Sequence, residues 1–252
     1  MKKVLVIGDK CVDSYYCGTI DRISPEAPVP IINHVYKDSK SGMVGNVIEN
    51  LKSLGIDCEW QNQTEPIEKI RFIDIKTKQQ LLRYDIEVLD VQPFEADLID
   101  WDSYSHLVIS DYDKGFITYD VAKEICQVFN GTIFVDSKKK DLSCYSNCIL
   151  KMNESEWDIS QPTIDESNEV IVTLGAEGAK WKDKIFPSEK VEMFDVCGAG
   201  DVFLASFVSS YIKGKGMEES IKLANHHASV SVTKHGVYTL QEEDIAGYED
   251  NI

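Results

Sequence analysis

The stretch Asp195-Val196-Cys197-Gly198-Ala199-Gly200-Asp201 carries the most legible chemistry in the sequence. It runs straight into a helical pattern from Val202 to Lys213, so Gly198, Ala199 and Gly200 stand where a helix begins. Small residues there let a ligand approach the backbone, and the unpaired N–H groups of a first turn, with the helix dipole, attract an anion. A carboxylate inside that turn, Asp201, would lie beside the anion and accept a proton from an attacking hydroxyl. Phosphoryl transfer needs this combination of an in-line nucleophile, a positioned base and donors facing the transferred charge. Taken alone, the same string is equally a glycine loop with a capping aspartate. The phosphate loop that ends in Gly-Lys-Ser or Gly-Lys-Thr is absent, and Gly198 and Gly200 lie far from the first strand, where a dinucleotide fingerprint belongs. Phosphate binding therefore falls late in the chain.

Other polar residues have two readings each. Asp13 follows a strand end, where it is a solvated turn or a ligand contact. Asn153 and Glu156 have the spacing of a capping box as well as of a binding pair. Lys138, in the run Lys138-Lys139-Lys140, is a solvated cation or a phosphate contact. Arg22, Arg71 and Arg83 are surface ion-pair partners or bidentate anchors for a substrate phosphate. His226 and His227 are neighbours on a helix and point different ways, which favours packing over metal binding.

The elements that must position these residues follow from periodicity. Short apolar runs at Val4 to Ile7, Leu107 to Ser110, Ile133 to Asp136, Cys148 to Lys151 and Val170 to Thr173 read as buried strands. They alternate with helical patterns at Val44 to Leu54, Thr118 to Phe129, Gly200 to Lys213 and Glu218 to Thr233. The pattern predicts an α/β fold with a mostly parallel central sheet covered on both faces. Tyr15 to Tyr36 reads as strands broken by the proline-containing run Ser24 to Pro30, and Glu68 to Asp85 as strand-turn-strand through Lys76-Thr77-Lys78. Together they predict a small β-rich lid, from about residues 14–37 and 68–85, beside one domain spanning residues 1–252. The acidic end, Gln241 to Ile252, is expected to fray.

Bulk properties narrow the function. Across 252 residues, 26 Lys and Arg against 43 Asp and Glu give a net charge of -17, which repels nucleic acid and anionic membrane and leaves an anionic ligand to local groups. Seven scattered cysteines form no Cys-x-x-Cys pair, so neither a disulfide framework nor a zinc ribbon is expected, and a cytoplasmic location is. Met1-Lys2-Lys3 precedes an apolar run too short for a secretion signal, and no stretch approaches the length of a membrane span.

With these residues in place, the sequence resembles the PfkB or ribokinase-like carbohydrate kinases, whose hallmark Asp-Thr-x-Gly-Ala-Gly-Asp matches Asp195 to Asp201. Within them it is most similar to the kinase domain acting on D-glycero-D-manno-heptose 7-phosphate. The shared segments are Val4 to Asp9 with Asp13, Arg22 to Pro30, Lys78 to Arg83, and Ser110-Asp111-Tyr112 with Lys114-Gly115. The resemblance implies a ribokinase-like three-layer sandwich, ATP and Mg²⁺ as cofactors and a small-molecule sugar phosphate as substrate. A homodimer through the β lid is suggested by the strand edges of the lid, which would gain by pairing with a copy of itself, and not by the resemblance. The resemblance implies Asp201 as base with Gly198, Ala199 and Gly200 as the anion hole. Asp13, Gly42, Asn46, Arg83 and Asp111 would meet the substrate. Lys138, Asn153, Glu156, Thr173, Gly175 and Gly178 would lie near the nucleotide, with Glu156 acting indirectly on the metal.

Two departures stand out. The family's Gly-Gly-Ala-Ala-Asn is here Gly42-Met43-Val44-Gly45-Asn46, which removes a flexible glycine near the sugar loop and predicts altered lid closure or substrate choice. The chain is also short between Trp60 and Arg71 and between Asp158 and Glu169. No His-x-Gly-His motif of a nucleotidyltransferase occurs, so a second, nucleotide-transferring activity is not expected here. The alternatives kept open are a kinase of another sugar or nucleoside, or a catalytically weak ligand-binding relative.

Overall fold

Residues 3–88 and 90–249 are described by the computed structural model. Apolar runs flanked by turn residues become the strands β1 (Lys3–Gly8), β4 (Cys58–Asn62), β7 (Tyr104–Asp111), β8 (Thr132–Ser137), β9 (Cys148–Asn153) and β10 (Glu169–Thr173), all parallel. The short antiparallel strands β11 (Ala179–Trp181) and β12 (Lys184–Phe186) extend one edge, giving the order β12-β11-β10-β9-β8-β7-β1-β4. Chain order reverses between β1 and β7. Such a switch point opens a crevice beyond the carboxyl ends of the strands, where ligands bind in open α/β sheets.

Side-chain alternation along the strands sends alternate residues into two cores. Leu5, Ile7, Leu107 and Ile109 pack with Val121, Ala122 and Ile125 of α2 (Tyr119–Val128) on one face. Val4, Val6 and Val108 pack on the other against α1 (Val44–Ser53), α4 (Ala199–Ile212) and α5 (Met217–Val232). The result is the three-layer α/β arrangement that the periodicity predicts. Helix α4 is buried along its length, from Asp201 to Ser210, because α1 and α5 flank it while the sheet lies beneath.

A second sheet of four strands has the order β3-β2-β5-β6. It is built from β2 (Lys10–Ile23), β3 (Pro30–Met43), β5 (Glu68–Asp74) and β6 (Gln80–Ile86). Pro25 and Pro28 fall in the β2–β3 connection and Pro30 is the first residue of β3, positions where a backbone without an N–H is tolerated. Strand β3 extends past Tyr36 to Met43, through a polar stretch whose lack of apolar alternation hid it.

Five other strands and α-helices escape periodicity because they are short or polar. They are β4, β11, β12, α3 (Glu154–Ser160) and α6 (Glu242–Glu249). The expected fraying of the acidic end is thus corrected: α6 packs Ile245 against Leu54, Val202 and Leu240, while residues 250–252 lie outside those described.

Met43 joins β3 to α1 with φ 56° and ψ -133°, a region natural to glycine and strained for any other residue. Its side chain is buried against Cys11 and Ile67 and offsets that cost by packing. Met43→Ala keeps the strain and loses the packing, so it should destabilise the fold by about 2–3 kcal/mol in urea denaturation. Met43→Gly loses the same packing and relieves the strain, and is expected to be less destabilising than alanine although it removes one more carbon.

Candidate active site

Gly198 begins α4 in the left-handed conformation, φ 77°. A Cβ there would stand 2.7 Å from Asn46 Nδ2, so glycine is required by both backbone and neighbour. The amides of Gly198 and Gly200 have no hydrogen-bond partner among the described residues. Two free donors at the N-terminus of a 14-residue helix make a site for an anion.

Asp201, one residue further, is buried and held on both oxygens. Asn46 Nδ2 donates to Oδ2 at 3.2 Å and the Tyr112 hydroxyl donates to Oδ1 at 2.9 Å. Burial pushes the Asp201 carboxyl up to about 6, with the negative charge of Asp136 adding to the effect and the Asn46 and Tyr112 hydrogen bonds opposing it. A carboxylate poised near neutral pH is a better proton acceptor than an ordinary aspartate.

Beneath the anion site lies a chain of charges at the carboxyl ends of β8 and β9. Lys151 Nζ bonds Asp136 at 2.7 Å, Lys138 Nζ bonds the other Asp136 oxygen at 2.9 Å, and Lys138 also reaches Glu156 at 2.7 Å. Burial alone would raise Asp136, yet Lys151 and Lys138 outweigh it and hold the carboxyl at about 2. A Cβ on Gly200 would stand 2.7 Å from Lys151 Nζ, so the absence of a side chain at 200 brings this buried ammonium up to the anion site. Asn153 and Glu156 form a complete capping box at the start of α3. Their structural and binding readings therefore coexist, since the cap fixes Glu156 against Lys138.

Asp13, on β2, faces this group from the second sheet. Its Oδ1 accepts from Arg71 of β5 at 2.5 Å, and Gly42 abuts its other oxygen so closely that a Cβ there would collide with it. The second Arg71 nitrogen reaches Cys197 Sγ at 3.7 Å, linking that sheet to the loop before α4. Asp201, Asn46, Gly198, Gly200, Asp13, Gly42, Lys138 and Glu156 are thus gathered around the crevice.

Other candidates stand elsewhere. Asp111 is buried and its carboxylate is taken by Ser137 Oγ at 2.7 Å, Tyr145 hydroxyl at 2.8 Å and Lys139 at 3.0 Å. Arg83 is directly across the β5–β6 pair from Arg71 and holds Asp85 with two bonds of 2.7 Å. The Thr173 hydroxyl donates to the Met152 carbonyl at 3.2 Å. Gly175 is in open space, whereas a Cβ on Gly178 would run 2.6 Å from the Ser188 amide nitrogen, so close packing explains that glycine.

Sequence reading missed Tyr112 and Lys151 as site residues. Lys151 left a signal, a charge inside the buried apolar run Cys148 to Asn153. Tyr112 left none of its own. Its ring lies between Lys69 Nζ, 5.5 Å from the centroid, and Lys138 Nζ, 5.6 Å away, and its hydroxyl reaches a residue 89 positions distant.

Known proteins resemble this chain in sequence and in fold. The model of the pfkB family carbohydrate kinases matches residues 43–244. The bifunctional protein HldE of Sulfurimonas denitrificans is 32% identical over 99% of this chain, and that of Campylobacter curvus 32% over 94%. The chain spans 65% of the first of these relatives and 63% of the second. The first alignment occupies 312 positions for a chain of 252 residues, so the relative carries extra segments. Among solved structures, Thermotoga maritima ribokinase superposes with a TM-score of 0.73 at 19% identity, over 100% of both chains. Escherichia coli phosphofructokinase-2, solved with potassium, gives 0.76 at 15% identity, covering 100% of this chain and 99% of its own. The ribokinase-like fold is therefore established for this chain.

Because the Tyr112 hydrogen bond lowers the Asp201 carboxyl, Tyr112→Phe should move it upward. The acid limb of kcat/KM, where Asp201 loses its charge, is expected near pH 6 in the wild type and at higher pH in the variant. A pH–rate profile with unchanged limbs would remove Tyr112 from the positioning of Asp201.

Proposed function

This chain belongs to the pfkB family of carbohydrate kinases, and on that premise we propose that it transfers the γ-phosphoryl group of ATP to the anomeric hydroxyl of heptose 7-phosphate. The observation that carries the reading is the buried Asp201 carboxylate next to two unpaired amides at the start of α4. The acceptor hydroxyl would lie between Asp13 and Asp201, with Asn46 fixing the base. As the hydroxyl attacks, Asp201 takes its proton. The Gly198 and Gly200 amides meet the charge on the transferred group, where preorganised donors lower the barrier most.

ATP would lie over the ends of β8, β9 and β10. Both Glu156 oxygens are engaged, by Lys138 and by the Asn153 amide, so Glu156 fits an indirect role in which Mg²⁺ arrives with the nucleotide and water stands between. The metal would screen the phosphate charges, while Lys138 and Lys151 keep their places below them.

The second sheet fits the role of a lid on the acceptor. Its outer face carries Leu82 and Tyr84, each more than half exposed at 58% and 57%, and both sheet edges, β3 and β6, are open. These features support a homodimer through the lid. No described helix is long and apolar enough to cross a membrane.

Purified protein with Mg-ATP and a panel of heptose, hexose and pentose phosphates should release ADP fastest with heptose 7-phosphate. Faster release with another sugar reassigns the substrate, and ATP binding without release by any sugar leaves a ligand-binding relative. Asp201→Asn should retain nucleotide binding and lose about 10²- to 10⁴-fold in kcat, as loss of a general base does; near-normal turnover rejects Asp201 as the base. In sedimentation velocity the wild type should run as a dimer and Leu82→Lys as a monomer.

A further inference from the structure

A cavity of about 410 Å³ opens beside the acceptor site, between the inner face of the second sheet and the loops that carry Asp195 and Gly236. Arg71 lines it and also bonds Asp13, so the cavity is continuous with the place proposed for the acceptor hydroxyl. Lys40 and Lys78 line it as well.

Its two carboxylates both accept from the backbone, Asp195 on both oxygens and Asp38 on one. Asp195 accepts from the Cys197 amide on one oxygen and the Gly236 amide on the other, each at 2.9 Å. Asp38 accepts from the Ser39 amide at 2.8 Å. The cations are less fully used. Lys40 Nζ crosses from β3 to donate to the carbonyls of His235 and Val237, at 3.1 and 2.8 Å, which leaves one of its three donors. Lys78 has no carboxylate within ion-pair distance among the described residues. Its ammonium stands 5.6 Å from the centroid of the Phe194 ring at the cavity wall.

The backbone at Lys78 is informative. It has φ 60°, a left-handed conformation that Gly or Asn adopts more easily. The turn is enforced by Asp74, which accepts from the Thr77 hydroxyl at 2.7 Å and the Thr77 amide at 3.2 Å. A turn built this tightly keeps a lysine where a smaller residue would be less strained, and directs it over the cavity.

We propose that this cavity is the subsite for the non-reacting, phosphorylated end of the substrate, a phosphate monoester held by Arg71, Lys40 and Lys78. The inference rests on the reading of the acceptor site given above. With the acceptor hydroxyl between Asp13 and Asp201, the remainder of an extended sugar phosphate passes Arg71 and ends between the two lysines. Arg71 then touches both ends of the acceptor site, and a sugar without the phosphate leaves Lys78 without a counter-charge.

Lys78→Asn tests this, since it removes the charge and suits the left-handed backbone. With heptose 7-phosphate the variant should show KM raised about tenfold with kcat and the KM for ATP unchanged, while the unphosphorylated heptose is handled as by the wild type. Lys78→Arg should restore most of the affinity. An unchanged KM for heptose 7-phosphate in Lys78→Asn overturns the subsite and leaves the kinase reading intact. If the wild type turns over neither sugar, the kinase reading fails and inorganic phosphate decides the subsite. Its titration should shift the amide resonances of Ser39 and Gly236, about tenfold more weakly in Lys78→Asn. Shifts confined to Gly198 and Gly200, or none at all, overturn the subsite.

Discussion

The Asp136 carboxylate, buried between Lys151 and Lys138, is the interaction on which the rest of the site depends. Two ammonium groups in a closed environment are costly unless paired, and removing one member of such a group costs about 3–5 kcal/mol because the others remain buried and uncompensated. Asp136 satisfies both lysines at once and so fixes Lys151 under Gly200 and Lys138 against Glu156. The same negative charge helps to raise the Asp201 carboxyl. One carboxylate thereby sets the positive floor beneath the start of α4 and tunes the Asp201 carboxyl above it. An acidic chain of net charge -17 keeps a local cluster of cations at this place because they are fixed one by one.

A second buried aspartate links the two sheets. Asp9 is the one residue between β1 and β2, and its Oδ2 accepts from the amides of Tyr112 at 2.7 Å and Lys114 at 3.4 Å. Burial first, then the charge of Asp111, pushes its carboxyl up to about 6. The point where the chain leaves the main sheet for the second one is thus tied to the loop whose tyrosine holds Asp201. Asp111 takes part in this from a distance. Its saturated network anchors Ser137, Tyr145 and Lys139, which steadies the loop after β7 and the segment that carries Lys138.

The parts of this arrangement visible in the sequence were those in which local spacing and chemistry coincide. Gly198 to Asp201 reads as an anion-binding helix start because the glycines, the carboxylate and the apolar helix are contiguous. Strands β1, β7, β8, β9 and β10 of the main sheet are legible for a similar reason, since each contains a continuous apolar run. Tyr112 could not be read this way, because its role depends on β7 ending opposite the start of α4. The arginines show the same limit more sharply. Arg71 and Arg83 stand opposite each other across β5 and β6, and only the sheet order separates them: β5 lies inside the sheet and buries Arg71 against Asp13, while β6 is an edge and leaves Arg83 exposed with Asp85. The Arg83-x-Asp85 spacing places both on one face of a strand, which lets them pair there. The far end of strand β3 is hidden because Lys37 to Ser41 are polar and show no apolar alternation before Gly42 and Met43 become buried.

The cations around the crevice differ in what they are bound to, and that difference follows the architecture. On the main sheet Lys138, Lys139 and Lys151 are all paired with carboxylates, so their positions are fixed before any ligand arrives. On the second sheet Lys69 and Lys78 have no ion pair among the described residues, and each stands over an aromatic ring instead. An ammonium over a ring keeps part of its hydration and gains about 0.5–1 kcal/mol at an exposed site, far less than a charge-assisted pair, so it can be drawn to an anion at little cost. Paired lysines suit a floor that must hold its shape during phosphoryl transfer. Unpaired lysines suit a sheet whose interactions are completed by the substrate. Arg71 belongs to both sets, because it is paired with Asp13 on one side and open to the cavity on the other. Any ligand that draws its guanidinium also acts on Asp13, so on the proposed reading the acceptor end and the distal end of the site are coupled through one side chain.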